Sequence, residues 1–177
     1  MRSSRLNRFT VAGLGVLLLM GITSAYAATS VISGVGTVAR FEPFGGPATM
    51  TARTLFIGAN EVLSWHQHPG IGAFTIVKSG TLTVEDGCGG EVVYPQGSAF
   101  LEPAGRVHRG IAGDVPVETV QTFLAPVGSG FSVTVPKGCG APLVVDECKG
   151  GGWQTFTFPR TFSDQGDCVT SVLRRGD

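Results

Sequence analysis

The sequence is poor in charge, and this shortage narrows the classes of function to consider. Charged residues make up 15% of its 177 residues, and 13 basic side chains balance 13 acidic ones to a net charge of zero. Nucleic-acid binding normally needs a basic surface patch, so nucleic acid is not an expected partner. The sequence after residue 27 also lacks any clear helical hydrophobic period over 11 residues, which argues against a helical domain.

Long apolar runs are scarce, and the one that exists lies at the start of the chain. The run Val11–Ile22 follows three arginines within the first eight residues and precedes Ala25-Tyr26-Ala27. This order is typical of a signal peptide, and the run is shorter than the roughly 20 residues that a membrane span needs. We therefore predict a signal peptide at 1–27 and a secreted or periplasmic protein with no stable membrane insertion after cleavage. Loss of the three arginines would leave a net charge of 10 − 13 = −3.

The four cysteines are Cys88, Cys139, Cys148 and Cys168, and all of them follow the predicted cleavage site. An even number of cysteines in an exported chain favours two disulfides. Spacing alone leaves three pairings open.

Glycine and proline punctuate the chain every eight to twelve residues, and short runs rich in valine, threonine, phenylalanine and isoleucine fill the intervals. Such runs are typical of β-strands. The ten predicted strands are Ser33–Arg40, Thr51–Ile57, Val62–His68, Ala73–Lys78, Thr81–Glu85, Glu91–Tyr94, Ser98–Leu101, Val107–Ile111, Val117–Leu124 and Phe131–Val135. We expect an all-β sandwich or barrel, with a hairpin turn at Lys78-Ser79-Gly80.

The composition changes after Pro142. Three glycines follow Lys149, and the alternating segment Trp153–Phe158 predicts one more strand. This part is too short to build a core of its own, so a disulfide is its natural staple. We divide the exported chain into a β-barrel at 28–142 and a disulfide-linked tail element at 143–177.

The chain has only three histidines, and their placement is not random. His66 and His68 form a His-x-His pair, which puts two imidazoles on one face of a strand because side chains alternate with period two. His108 comes from a later predicted strand. Together the three can close a three-nitrogen metal site with open coordination positions. Trp65 alternates with His66 and is expected to point away from the metal, into the layer between packed sheets.

Two segments that contain these histidines, Gly58–Gly80 and Gly97–His108, resemble the two sequence motifs of the cupin superfamily. His66, His68 and Gly80 match the first motif, and Gly97, Pro103, Gly105 and His108 match the second. The resemblance implies a cupin-type double-stranded β-helix, that is, a jelly-roll barrel. It also implies a divalent metal bound by the three histidines and a small-molecule ligand or substrate.

The chain departs from the family pattern where the first motif carries its metal-binding glutamate, because Ala73 stands there. A neutral three-histidine site favours Fe, Zn, Ni or Cu over Mn, which relies more on carboxylate. We expect Ala73 to leave a gap beside the ion. Of the carboxylates Glu61, Glu102 and Glu118, Glu102 is the best substitute. We interpret it, however, as a side chain that hydrogen-bonds a ligand histidine. For the side chain of Gln121 we leave two orientations open, one toward the cavity and one outward.

The resemblance also bears on the cysteines, since similar small exported cupins carry a cysteine near the positions of Cys88 and Cys139. It implies a Cys88–Cys139 disulfide, which leaves Cys148 with Cys168 for the tail.

Three functions fit these features. The first is an iron-dependent, dioxygenase-like enzyme acting on a small molecule, with its catalytic residues unknown. The second is a module that binds a metal or a small ligand without turnover, and the third is a cupin scaffold that has lost its metal. The sequence does not decide whether the protein forms a homodimer.

Overall fold

The computed structural model describes residues 28–174, so the predicted signal peptide lies outside the described residues. Ten strands lie in this part of the chain, and each overlaps one of the ten predicted runs. Their bounds are β1 Thr29–Phe41, β2 Gly46–Ile57, β3 His66–Gln67, β4 Gly72–Ser79, β5 Thr81–Asp86, β6 Glu91–Pro95, β7 Ala99–Pro103, β8 His108–Ala112, β9 Val117–Pro126 and β10 Val133–Thr134.

The strands form two five-stranded antiparallel sheets, which confirms the predicted all-β jelly-roll architecture. Sheet A has the order β1-β2-β9-β4-β7, and sheet B has the order β10-β3-β8-β5-β6. In sheet A the odd-numbered residues of β2, β9 and β4 share one face by register. That face is buried against sheet B, and this burial fixes which side chains can enter a site between the sheets.

The apolar core lies at one end of the space between the sheets. Leu55, Ile57, Val77 and Val117 of sheet A pack with Leu82 and Ala112 of sheet B. Further along the same strands of sheet A, the inward positions become polar. The site described below occupies this polar end, and the apolar cluster fixes the separation of the two sheets beside it.

The predicted hairpin at Lys78-Ser79-Gly80 is wrong. β4 pairs with β7 and β9 in sheet A, whereas β5 pairs with β6 and β8 in sheet B, so this turn carries the chain from one sheet to the other. Gly80 has φ +75°, and a Cβ there would lie 2.4 Å from the carbonyl oxygen of Pro116. Two consecutive strands have the same alternating sequence pattern whether they pair in one sheet or lie in two facing sheets. The pattern alone therefore could not exclude a hairpin.

Trp65 points away from the histidines, as its alternation with His66 requires, but it does not enter the layer between the sheets. Its ring is half-buried and lies 4.6 Å from the guanidinium carbon of Arg109 and 5.1 Å from Lys137 Nζ. Two cations over an indole face form a favourable surface arrangement. The prediction of a core position for Trp65 is therefore wrong.

The tail contains short helices rather than a strand. Val145–Cys148 and Gly152–Gln154 are 3-10 turns, and α1 spans Gln165–Leu173. The strand predicted at Trp153–Phe158 is wrong because Gly150 and Gly151 adopt positive φ and turn the chain into the second 3-10 turn. No helix of residues 28–174 is long and apolar enough to cross a membrane.

Two disulfides organise this region. The structure links Cys88 to Cys139 and Cys148 to Cys168, which are the pairs implied by the family resemblance. Phe156 and Phe162 pack against the cysteines in a second small hydrophobic cluster. Because Cys139 belongs both to this cluster and to the first disulfide, the tail is tied directly to Cys88 in the turn between β5 and β6.

Candidate metal centre

Sheet B places the three histidines side by side. His66 opens β3 and His108 opens β8, and the two are register partners in the antiparallel pair. His68 lies two residues after His66, so its side chain emerges on the same face. The ring centroids are 4.5 Å apart for His66–His108 and 5.0 Å apart for each of the two pairs that include His68.

Each imidazole is oriented by a backbone carbonyl on its Nδ1 side. Nδ1 lies 2.8 Å from the oxygen of Ser64 in His66, 2.8 Å from that of Phe131 in His68, and 2.9 Å from that of Arg106 in His108. A carbonyl oxygen can only accept, so in each neutral ring the proton is on Nδ1. The Nε2 lone pairs then face the interior, which is the tautomer and orientation that a metal-binding histidine needs.

The inner nitrogens are buried and close together. Ligand nitrogens of His66, His68 and His108 lie within 4.8 Å of one another, a spacing that could hold a single metal ion. The Nε2 atoms of His68 and His108 have no hydrogen-bond partner among residues 28–174. A buried polar atom without a partner costs free energy, so two such atoms pointing at one spot indicate a site for a cation.

Burial favours the neutral form of the His66 and His108 imidazoles. Desolvation, with the neighbouring His108 and His68 rings, lowers the pKa of His66 from 6.5 to about 4. Desolvation also lowers the pKa of His108, against an opposing influence of the Glu102 carboxylate. Because only a neutral imidazole can donate its Nε2 lone pair, both effects favour a site that is ready to bind metal at neutral pH.

Sheet A supplies the opposite wall of the site. Ala73 on β4 is fully buried and is the register partner of Glu102 on β7 and of Phe123 on β9. The Phe123 ring lies 5.1 Å from the His68 ring. The space beside Ala73 thus lies between an aromatic ring and a carboxylate from the two neighbouring strands.

Glu102 is 6% exposed and points at the inner side of the histidines. Its Oε2 lies 3.3 Å from Nε2 of His68, and its Oε1 lies 3.6 Å from Nε2 of His108. Burial raises the pKa of Glu102, but the contact with His68 and the electrostatic influence of the three nearby imidazoles outweigh it and hold the pKa below its usual value. The carboxylate therefore lies on the Nε2 side of His68 and His108, not beside the Nδ1 atoms that bind backbone carbonyls.

A buried polar row next to this position holds the carboxylate in place. Thr75 Oγ1 donates to Glu102 Oε2 at 3.0 Å, and Gln121 Nε2 donates to the same oxygen at 3.2 Å. Arg53 Nε in turn donates to Gln121 Oε1 at 2.8 Å. Gln121 therefore faces the interior, which resolves the alternative left open by the sequence.

Sequence reasoning missed Thr75 and Arg53 as members of this network. Their register partners place Arg53, Gln121 and Thr75 in one row across β2, β9 and β4. Polar residues at odd positions of apolar strands were a signal, but using it requires the register between strands that are distant in sequence. The other two carboxylates considered lie elsewhere: Glu61 accepts from the backbone of Gly58, and Glu118 pairs with Lys78.

A cavity of about 290 Å³ reaches the site from the side of β6 and β7. Glu102 and His108 are buried residues of its lining, and Tyr94 and Phe100, stacked 3.7 Å apart, form part of its wall. Asp86, Glu91 and Arg106 add charge to its lining. This volume suits a small organic molecule that reaches the histidines with one end.

The geometry agrees with a match between residues 54–123 and the profile of the cupin domain. No curated protein matches the chain by sequence.

Three solved structures are similar to part of the chain. A cupin-like protein from Thermotoga maritima is 18% identical, with 49% of this chain and 64% of that chain covered and a TM-score of 0.44. A DMSP lyase from Ruegeria pomeroyi is 16% identical, with 59% and 52% covered and a TM-score of 0.44. An oxalate oxidase in complex with glycolate is 20% identical, with 49% and 46% covered and a TM-score of 0.42. The matched part spans less than two thirds of each of these proteins.

Proposed function

We propose that this chain, whose residues 54–123 match the cupin domain, is an exported cupin that binds one divalent transition metal through Nε2 of His66, His68 and His108. The shared orientation of the three imidazoles carries the proposal. Their outer nitrogens are bound to backbone carbonyls, and their inner nitrogens converge in a buried space. Imidazole ligands suit Fe, Zn, Ni and Cu.

We propose further that the site acts on a small molecule as a dioxygenase-like enzyme with iron. Iron(II) held by three imidazoles has open positions for dioxygen and a chelating substrate, and dioxygenation places both oxygen atoms in the product without an external reductant. The cavity that ends at His108 and Glu102 would admit the substrate. Phe123, which is 1% exposed beside His68, would keep water from that side of the site.

The alternative is a module that holds a metal or a small ligand without turnover. One observation favours it. Glu102 is the one carboxylate among the buried polar residues of the described chain, and one of its oxygens already accepts from Thr75 and Gln121. A carboxylate fixed in this way is poorly placed to shuttle protons, which weakens the case for general base catalysis.

Metal analysis of the exported protein, purified without added metal, tests the metal proposal. We expect close to one ion per chain in the wild type and loss of stoichiometric metal in His68→Ala. Gln67→Ala is the matched control, because Gln67 lies on the same strand and its side chain points away from the site. A wild-type protein that binds no Fe, Zn, Ni or Cu at neutral pH would refute the proposal.

Oxygen consumption by the iron-loaded protein with candidate small chelating molecules then separates the enzyme from the binding module. The homodimer left open by the sequence stays a prediction. Exposed apolar side chains on the outer face of sheet A are where a second copy would pack; they are Met50, Phe56, Phe74, Ile76 and Leu101.

A further inference from the structure

The contacts between Glu102 and the histidines are unusual for an ordinary buried ion pair. The Nδ1 protons of His68 and His108 are directed at the carbonyl oxygens of Phe131 and Arg106. In the neutral ring each Nε2 therefore presents a lone pair to a carboxylate oxygen, at 3.3 Å in His68 and 3.6 Å in His108. Two acceptors that face each other at such distances repel unless a cation lies between them. The Glu102 carboxylate therefore faces the inner nitrogens of His68 and His108, two of the three histidines that could hold one cation.

The two oxygens of Glu102 are in different situations. Oε2 accepts hydrogen bonds from Thr75 and Gln121, which fix the plane of the carboxylate. Oε1 faces His108 and accepts no hydrogen bond from the residues that the structure describes. Ligating carboxylates are commonly held in this way, with outer groups on one oxygen and the metal on the other.

The register of sheet A shows how this carboxylate comes to be there. Ala73 and Glu102 are partners in the β4–β7 ladder, so their Cβ atoms lie on the same face about 5 Å apart. The methyl group of Ala73 leaves room beside the histidines, and the longer Glu102 side chain reaches that space from the next strand.

We infer that Glu102 is the fourth protein ligand of the metal, with Oε1 as its donor atom, and that Thr75, Gln121 and Arg53 are positioning residues for it. This inference rests on the proposed metal site. It changes the expected metal preference, because an anionic oxygen ligand makes the site more favourable for Mn(II) than three imidazoles alone.

Binding of Mn(II) alone and of Zn(II) alone to the folded protein tests the inference, with Mn(II) followed by its EPR signal. We expect Glu102→Gln to weaken Mn(II) binding by at least about 100-fold, since loss of outer partners alone costs up to that factor. Zn(II) binding should weaken less, so the ratio of the two affinities shifts toward Zn(II). Glu118→Gln, which removes an outward carboxylate paired with Lys78, should leave both affinities unchanged.

Exchanging the side chains of the register partners Ala73 and Glu102 distinguishes a carboxylate that binds the metal from one that only orients a histidine. In Glu102→Ala with Ala73→Glu, a carboxylate returns to the same face from β4. We expect it to restore Mn(II) binding to within about tenfold of the wild type, given the short distance between partner Cβ atoms. A carboxylate that merely oriented a histidine through a specific hydrogen bond would not be replaced in this way, so failure of the exchange to restore binding overturns the inference.

A crystal structure of the Mn(II)-loaded wild-type protein gives a measurement that does not depend on the folding of variants. We expect Glu102 Oε1 about 2.0–2.2 Å from the ion, the range of carboxylate ligands. An Oε1 more than 3 Å from the ion, or a Glu102→Gln protein that binds Mn(II) and Zn(II) as the wild type does, would refute the ligand role and leave the three-histidine site intact. A wild-type protein that binds neither ion would instead refute the metal site itself.

Discussion

Acid should destabilise the metal-free protein through His66 before it affects the carboxylates. The His66 imidazole has a pKa of about 4 in the folded protein because it is buried beside two other rings, against 6.5 in an unfolded chain. Between these values the unfolded chain binds a proton that the folded protein does not bind. The stabilisation is therefore complete above pH 6.5 and is lost as the pH falls toward 4.

The size of the effect follows from the difference between the two pKa values. A gap from 6.5 to about 4 corresponds to roughly 3 kcal/mol of free energy of unfolding. His108 acts in the same direction, since burial lowers its pKa as well. A total stability of 5–15 kcal/mol is typical of a domain, so a loss of about 3 kcal/mol is large enough to measure easily.

Urea unfolding of chelator-treated protein at several pH values between 7 and 4 measures this loss. Over this range the free energy of unfolding of His66→Gln should fall by about 3 kcal/mol less than that of the wild type, because the variant lacks the titrating group. Gln67→Ala, on the same strand but outside the site, should lose as much as the wild type. If His66→Gln and wild type lose equal stability, His66 is not held neutral by burial and the description of the site is wrong. Glu102 and Asp167 have lowered pKa values, so they contribute mainly below this range.

Two further predictions concern the ends of the chain. Replacement of Cys148 and Cys168 by serine should cost about 3 kcal/mol of local stability, given the separation of 20 residues between them. Hydrogen exchange should then rise only beyond residue 142; a rise through the strands would contradict the proposed division at that residue. The exported protein should begin at Ala28, which intact mass measures directly, and a retained Met1 would disprove cleavage.

The strands and the three histidines could be predicted because their signals are local. Two imidazoles in a His-x-His pair share a face of any strand, and His108 needs only to enter the same sheet. The structure adds that His66 and His108 are direct register partners in sheet B. No feature of either segment specifies that pairing, since it depends on how β3 and β8 align across 42 residues of chain.

Two of the three errors have a common physical origin. The hairpin expected at Lys78-Ser79-Gly80 and the core position expected for Trp65 both required knowledge of which sheet each run joins. Alternation of apolar and polar residues indicates that a strand has two different faces, but it does not indicate which part of the protein covers each face. The tail strand failed for a different reason, because two glycines with positive φ override the alternation that follows them.

Glu102 illustrates the same limit in the chemistry of the site. In sequence it is an isolated acidic residue before Pro103, whereas Ala73 occupies the position that resembles a ligand position. The β4–β7 ladder makes them neighbours on one face. A slip of that ladder by one residue would turn Glu102 to the outer face of sheet A and leave the histidines without a carboxylate, because side chains alternate with period two. The ligand set of this site thus depends on the strand register within sheet A as well as on the histidine spacing in sheet B. A search of the sequence for the family motifs alone would report a missing glutamate and would overlook Glu102.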